Sequence, residues 1–139
     1  GTKYAQDIVA NAKVLASSLA AEGFDVLAEE RGFTASHQVL TRHGGIDSGA
    51  GRKAASILED AGIITNMNML PGDTKAMSPS GLRLGVQELT RHGMGVNEME
   101  EVAECFRRVL IDGEEPEKVK DRVKSIRSNF QDVKYCFRD

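Results

Sequence analysis

The chain has 139 residues, 40% hydrophobic and 28% charged, with a formal net charge of −3. That is one domain's worth of chain, long enough to bury a core, and its slight acidity leaves no electrostatic footprint for nucleic acid or for an acidic membrane surface. No apolar run reaches the length of a membrane span, no signal peptide opens the chain, and Cys105 and Cys136 form neither metal-ligand spacing nor a disulfide framework, so a reducing, cytoplasmic compartment is expected.

The start at Gly-Thr rather than Met points to a processed or excised piece. Tyr4, Ile8, Ala12, Leu15 and Leu19 recur at helical spacing, which predicts an amphipathic helix from about Lys3 to Glu22, stopped by Gly23. Phe24 to Leu27 and Phe33 to Arg42 read as strands, the second with small and apolar residues around His37, Val39 and Leu40. His43 to Lys53 is rich in glycine. It fits neither the Walker spacing nor Gly-x-Gly-x-x-Gly after a strand, so it reads as a flexible turn into a helix. That helix spans about Arg52 to Ala61, with Ala54, Ile57, Leu58 and Ala61 inward and Gly62 closing it. Ile63 to Asn66 reads as a buried strand.

The irregular stretch from Asn66 to Ser80 leads into Gly81-Leu82-Arg83-Leu84-Gly85-Val86. Alternation puts Leu82, Leu84 and Val86 on one face and Arg83 on the other. Gly81 and Gly85 carry no side chain, so open space is expected around the guanidinium. Two readings are open. Arg83 captures a carboxylate or phosphate, or it pairs with an acidic neighbour inside the protein. Asn66 and Asn68, before Pro71, also have two readings: bonding to their own backbone, or presenting an amide to the edge of a nitrogen heterocycle.

Glu88 to His92 suits a helical turn ended by Gly93. Asn97-x-x-Glu100 resembles a capping box for a helix from about Glu98 to Ile111, whose stripe is Met99, Val102, Ala103, Phe106, Val109 and Leu110. Pro116 opens a last helix with Val119, Val123, Ile126 and Phe130 inward. The order predicts an α+β, two-layer fold: a small, mostly antiparallel sheet with helices packed on one face. His37, His43 and His92 lack the spacing of a metal site, no nucleophile elbow appears, and no catalytic residue or metal site is assigned.

The motifs together resemble the C-terminal domain of serine hydroxymethyltransferase, a fold-type I pyridoxal-phosphate enzyme. The resemblance covers nearly the whole chain. It begins in the first helix at Tyr4, Ile8, Asn11 and Leu15. Thr34-Ala35-Ser36-His37 stands for the family's Thr-Asp-Asn-His, and Gly62 to Asn68 for Gly-Ile-x-x-Asn-Lys-Asn. Pro71-x-Asp73 and Ser80 to Gly85 stand for Pro-x-Asp and Ser-Gly-Ile-Arg-x-Gly, and Thr90 to Met94 for Thr-Thr-Arg-Gly-Phe. The resemblance implies the small-domain architecture of fold-type I enzymes over residues 1–139. Residues 1–22 would be a leading helix joined to a missing large domain, 23–94 the sheet and substrate loop, and 95–139 the C-terminal helices.

It further implies transfer of a hydroxymethyl group from serine to a tetrahydropterin, leaving glycine, with pyridoxal phosphate as electron sink. Arg83 would grip the substrate carboxylate and Asn68 would contact the pterin, whether tetrahydrofolate or a modified tetrahydropterin. The full-length enzyme would be a cytoplasmic homodimer of one-carbon metabolism with no nucleic-acid or membrane partner. The family's Thr-His-Lys segment is absent, so this chain alone is expected neither to bind pyridoxal phosphate covalently nor to catalyse transfer. Ala35, Ser36, Met67 and Arg91-His92 depart from the family pattern, which leaves the pterin and the amino acid open. The alternative is a stand-alone module of the same fold that binds an amino acid, regulates, or dimerises. The first helix's apolar stripe is expected to be left exposed and to favour self-association.

Overall fold

The computed structural model describes residues 2–27 and 38–130. Nine elements follow in order: α1 (Thr2–Ala21), β1 (Asp25–Val26), β2 (Gln38–Arg42), α2 (Ala50–Asp60), β3 (Asn66–Asn68), β4 (Gly81–Gly85), α3 (Gln87–Arg91), α4 (Val96–Leu110) and α5 (Pro116–Ser128). This is the order that the hydrophobic periodicity predicts, and the fold class is α+β as expected. The motif Thr34 to His37, with Ala35 and Ser36, lies outside the described residues, as does Cys136.

The strands form one sheet in the order β1-β2-β4-β3, antiparallel throughout. Residues directly opposite in an antiparallel pair share a face. Val26, Val39, Thr41, Leu82 and Leu84 therefore line one face, and all five are buried. The helices close over that face. Ala12, Leu15, Ala16 and Leu19 of α1, Ala54 and Leu58 of α2, Met99, Ala103 and Phe106 of α4, and Val119, Val123 and Ile126 of α5 join the strand residues in a single cluster. The opposite face, with Gln38, Leu40, Arg83, Asn66 and Asn68, has no helix of the described residues laid across it.

Four expectations change. The third strand is not Ile63 to Asn66 but Asn66–Asn68, and Ile64 is 78% exposed. Its apolar run reads as buried, but pairing with β4 begins only where Asn66 meets Arg83. The cap of α4 lies two residues earlier than expected: Glu98 Oε1 accepts from the Gly95 N–H at 2.7 Å, so the reach-back comes from Glu98 rather than Glu100. The stripe of α1 is not left open, because α4 and α3 of the same chain cover Ala12, Leu15 and Leu19. Tyr4 and Ile8 remain half-buried, and the Tyr4 hydroxyl donates to the Gln87 carbonyl at 3.1 Å. The glycine-rich stretch before α2 is not a free turn either, since Asp47 ties it to the loop between β3 and β4.

One polar anchor fixes α1. The Asn11 amide is buried and donates to Thr90 Oγ1 at 2.8 Å and to the Met94 carbonyl at 2.9 Å. The Thr90 hydroxyl in turn donates to the Val86 carbonyl at 2.8 Å. A buried amide needs such partners, and these three hydrogen bonds seat α1 against the turn that follows β4.

Candidate functional site

The open sheet face holds the predicted site residues. Arg83 lies in the middle of β4, exposed, with buried Leu82 and Leu84 on either side along the strand. It forms no hydrogen bond or ion pair among the described residues, whereas Arg42, Arg91, Arg107, Arg108 and Arg122 all have acidic neighbours. Among the described residues, then, no acidic side chain makes Arg83 half of an internal ion pair. Asn66 stands directly across β4 from Arg83, and Asn68 directly across from Gly81. The sheet thus brings both asparagines and the guanidinium onto one surface. Asn68 Nδ2 donates to the adjacent Met69 carbonyl at 2.9 Å, so this asparagine does bond its own backbone.

The open space expected beside Arg83 is only partly there. A Cβ on Gly81 would lie 2.5 Å from Leu70 Cγ and Cδ1. Leu70, 3% exposed, therefore fills the position on the Gly81 side of Arg83. On the other side, a Cβ on Gly51 of α2 would come within 2.2 Å of the Gly81 carbonyl oxygen. Leu70 leaves no room for a side chain at Gly81, and the Gly81 backbone leaves none at Gly51. At Gly85 the corresponding space holds Gln87 Oε1, 2.7 Å from a built Cβ.

The loop between β3 and β4 is held by two carboxylates that composition and periodicity do not single out. Asp73 Oδ2 accepts from the Leu70 N–H at 2.8 Å, the Ser80 N–H at 2.9 Å and the Ser80 hydroxyl at 2.8 Å. Asp73 Oδ1 accepts from the Asp47 N–H at 2.8 Å. Asp47, at φ 53°, accepts from the Thr74 N–H at 2.7 Å, the Thr74 hydroxyl at 2.6 Å and the Lys75 N–H at 2.8 Å. Donors aimed at an ionised carboxylate stabilise the charged form. The backbone N–H groups of Asp47, Leu70 and Ser80 hold the Asp73 carboxyl far below the usual carboxylate range. The Thr74 hydroxyl, with the Lys75 and Thr74 N–H groups, lowers that of Asp47. Asp73 stands in the Pro71-x-Asp73 motif with no role attached, and Asp47, 26 residues earlier, is only one aspartate in a glycine loop.

His43 and Cys105 are structural. His43 Nε2 and the Thr41 hydroxyl share a 2.7 Å hydrogen bond, and burial lowers the pKa of the ring despite Asp25. Burial pushes the Cys105 thiol up, away from a reactive thiolate. Among the described residues no group of three His, Cys, Asp or Glu could hold a metal, and no helix is long and apolar enough to cross a membrane.

Among the described residues, none of the four strands carries a lysine. The Arg83 guanidinium, on a central strand and without an acidic partner among the described residues, suits an anionic group.

Residues 2–106 match the family model for serine hydroxymethyltransferase. The chain is 51% identical to the serine hydroxymethyltransferase of Thermoplasma volcanium over 100% of its own length and 33% of that enzyme. It is 52% identical to that of Thermococcus gammatolerans over 99% of the chain and again 33% of the relative. The chain therefore spans about a third of the length of these relatives, and it matches their C-terminal part. A solved structure of L-threonine transaldolase from Pseudomonas fluorescens superposes with a TM-score of 0.81 at 35% identity, covering 92% of this chain and 28% of that one.

Proposed function

We propose, from the premise that the chain belongs to the serine hydroxymethyltransferase family, that it supplies the amino-acid-gripping half of a hydroxymethyl-transfer site. The substrate is serine, the product glycine, and the acceptor a tetrahydropterin. The observation that carries this reading is the exposed guanidinium of Arg83 on β4, without a partner among the described residues, with Asn66 across from it.

Arg83 holds the substrate carboxylate by two parallel N–H···O bonds. Because β4 is central in the sheet, that grip is rigid. It sets the orientation of the α-carbon, and orientation is itself a contribution to rate. Pyridoxal phosphate, held by the larger part of the enzyme, supplies the electron sink when bound. Asn68 presents its amide at the pterin side of the same face. In this reading residues 1–22 lead from the large domain, 23–94 form the sheet and substrate loop, and 95–139 close the unit. The full-length enzyme is a cytoplasmic homodimer.

Arg83→Lys in the full-length enzyme tests this. Lysine keeps the charge but loses the bidentate fork. Loss of a desolvated charged pair costs about 2–5 kcal/mol, so the serine KM rises by at least about tenfold while the fold is retained. Unchanged serine kinetics overturn the assignment. L-Threonine, the amino acid named for the structural neighbour, carries the same carboxylate and belongs in the assay beside serine.

A further inference from the structure

Arg83 is only as well placed as the strand under it and the side chains beside it. Both are set by the loop that runs from Asn68 to Gly81. That loop has its two ends drawn together at one atom: Asp73 Oδ2 accepts from the Leu70 N–H, near the exit of β3, and from the Ser80 N–H and hydroxyl, at the entry to β4. Leu70 then lays its side chain on Gly81, two residues from Arg83 and on the same sheet face. Ser80, fully buried, also accepts at its carbonyl from the His43 N–H at 2.9 Å, which sets the start of the β2–β4 pairing.

We propose that Asp73 is a positioning residue for amino-acid binding: by fixing Leu70 and Ser80 together it holds the apolar wall beside Arg83 and the register of β4 beneath it. This rests on the reading of Arg83 as the carboxylate grip. Asp73 touches neither substrate nor cofactor and acts through the two residues it binds. Asp47 is the contrasting case. Its carboxylate binds Thr74 and Lys75, at the outer part of the loop, and it meets Asp73 only through its own N–H. Removing the Asp47 side chain leaves the Leu70–Asp73–Ser80 junction in place.

The test uses the full-length enzyme with Asp73→Ala, Asp73→Asn and Asp47→Gly, the glycine chosen because position 47 has φ 53°. Serine KM and kcat are measured beside amide hydrogen exchange at Leu70 and Ser80. Asp73→Ala is expected to speed exchange at both amides and to raise the serine KM by about tenfold, the equivalent of one net charged hydrogen bond, with kcat held within about twofold. Asp73→Asn keeps one carbonyl oxygen for these donors, so it gives a smaller change in the same direction and serves if the alanine variant does not fold. Asp47→Gly speeds exchange at Thr74 and Lys75 and leaves the serine KM within about twofold, since it removes no bond to Leu70 or Ser80. Faster exchange at Leu70 and Ser80 with an unchanged KM makes the junction structural only and overturns the proposal. So does an equal fall in kcat with no change in KM, or an Asp47→Gly variant that matches Asp73→Ala in KM. If Arg83→Lys leaves serine kinetics unchanged, it is the carboxylate grip that fails, whatever Asp73 does.

Discussion

Gly81 is the position where packing and function meet most tightly, and Gly81→Ala puts a number on it. Its φ is not in the left-handed region, so alanine is acceptable to the backbone. The obstacle is space. The new methyl would sit 2.5 Å from Leu70 Cγ, and Gly51 of α2, backed against the Gly81 carbonyl, prevents β4 from retreating. Leu70 must leave its buried position, and exposing a leucine costs about 1.5–3 kcal/mol. Gly81→Ala should therefore destabilise the chain by about 2–3 kcal/mol in urea unfolding. Leu70→Ala alone should cost about 2–4 kcal/mol from lost burial and the cavity left behind. In the double variant the methyl at 81 enters the space that Leu70 vacates. Its cost should match that of Leu70→Ala, with a favourable coupling of about 2 kcal/mol. Additive costs would refute the wedge, and so would a neutral Gly81→Ala.

Three further outcomes are expected. Asn11→Ala removes two buried hydrogen bonds and strands the Met94 carbonyl, which should cost about 2–4 kcal/mol in unfolding free energy. A loss within error of zero would mean that α1 is held by its apolar stripe alone. Stability should also fall in two steps on acidification. His43 has a lowered folded pKa, so its contribution is full above its ordinary value near 6.5 and is lost as pH falls through that range toward the folded value. Asp47 and Asp73, also lowered, contribute fully above the ordinary value near 3.8, and that contribution is lost as pH falls below it. His43→Gln should abolish the first step in a pH series of urea midpoints and leave the second. Finally, pyridoxal phosphate added to the isolated chain should give no absorption band that borohydride fixes to a lysine, and a fixed lysine found by peptide mapping would contradict that expectation.

Much of the fold was legible because its signals are local. The spacing of Ala12, Leu15 and Leu19, of Met99, Ala103 and Phe106, and of Val119, Val123 and Ile126 places three helices, and each stripe is buried as its period implies. Gly23, Gly62 and Gly93 end helices at positive φ, the conformation for which glycine is suited. The alternation of Leu82, Arg83 and Leu84 separates core from open face before any partner strand is known. Arg83 and Asn68 were singled out by motif, and β3–β4 pairing puts them on one sheet face.

Long-range placement was not legible in this way. Ile63 and Ile64 look like a buried strand, but strand limits depend on where β4 offers hydrogen bonds, and that begins at Asn66. Gly81 looks like open space, because nothing in Gly-Leu-Arg says that Leu70 folds back on it. Whether Arg83 is paired could not be read from its own strand; among the described residues no carboxylate pairs with it. Asp47 is unremarkable in the sequence, and Asp73 stands in a motif that names no role for it. They become a clasp only when two loops 26 residues apart in the chain come within hydrogen-bond distance. Local period and turn chemistry are written into neighbouring residues. Which side chains share a face or fill a gap, and which are left without a partner, depends on residues far apart in the chain, and so only the folded sheet decides it.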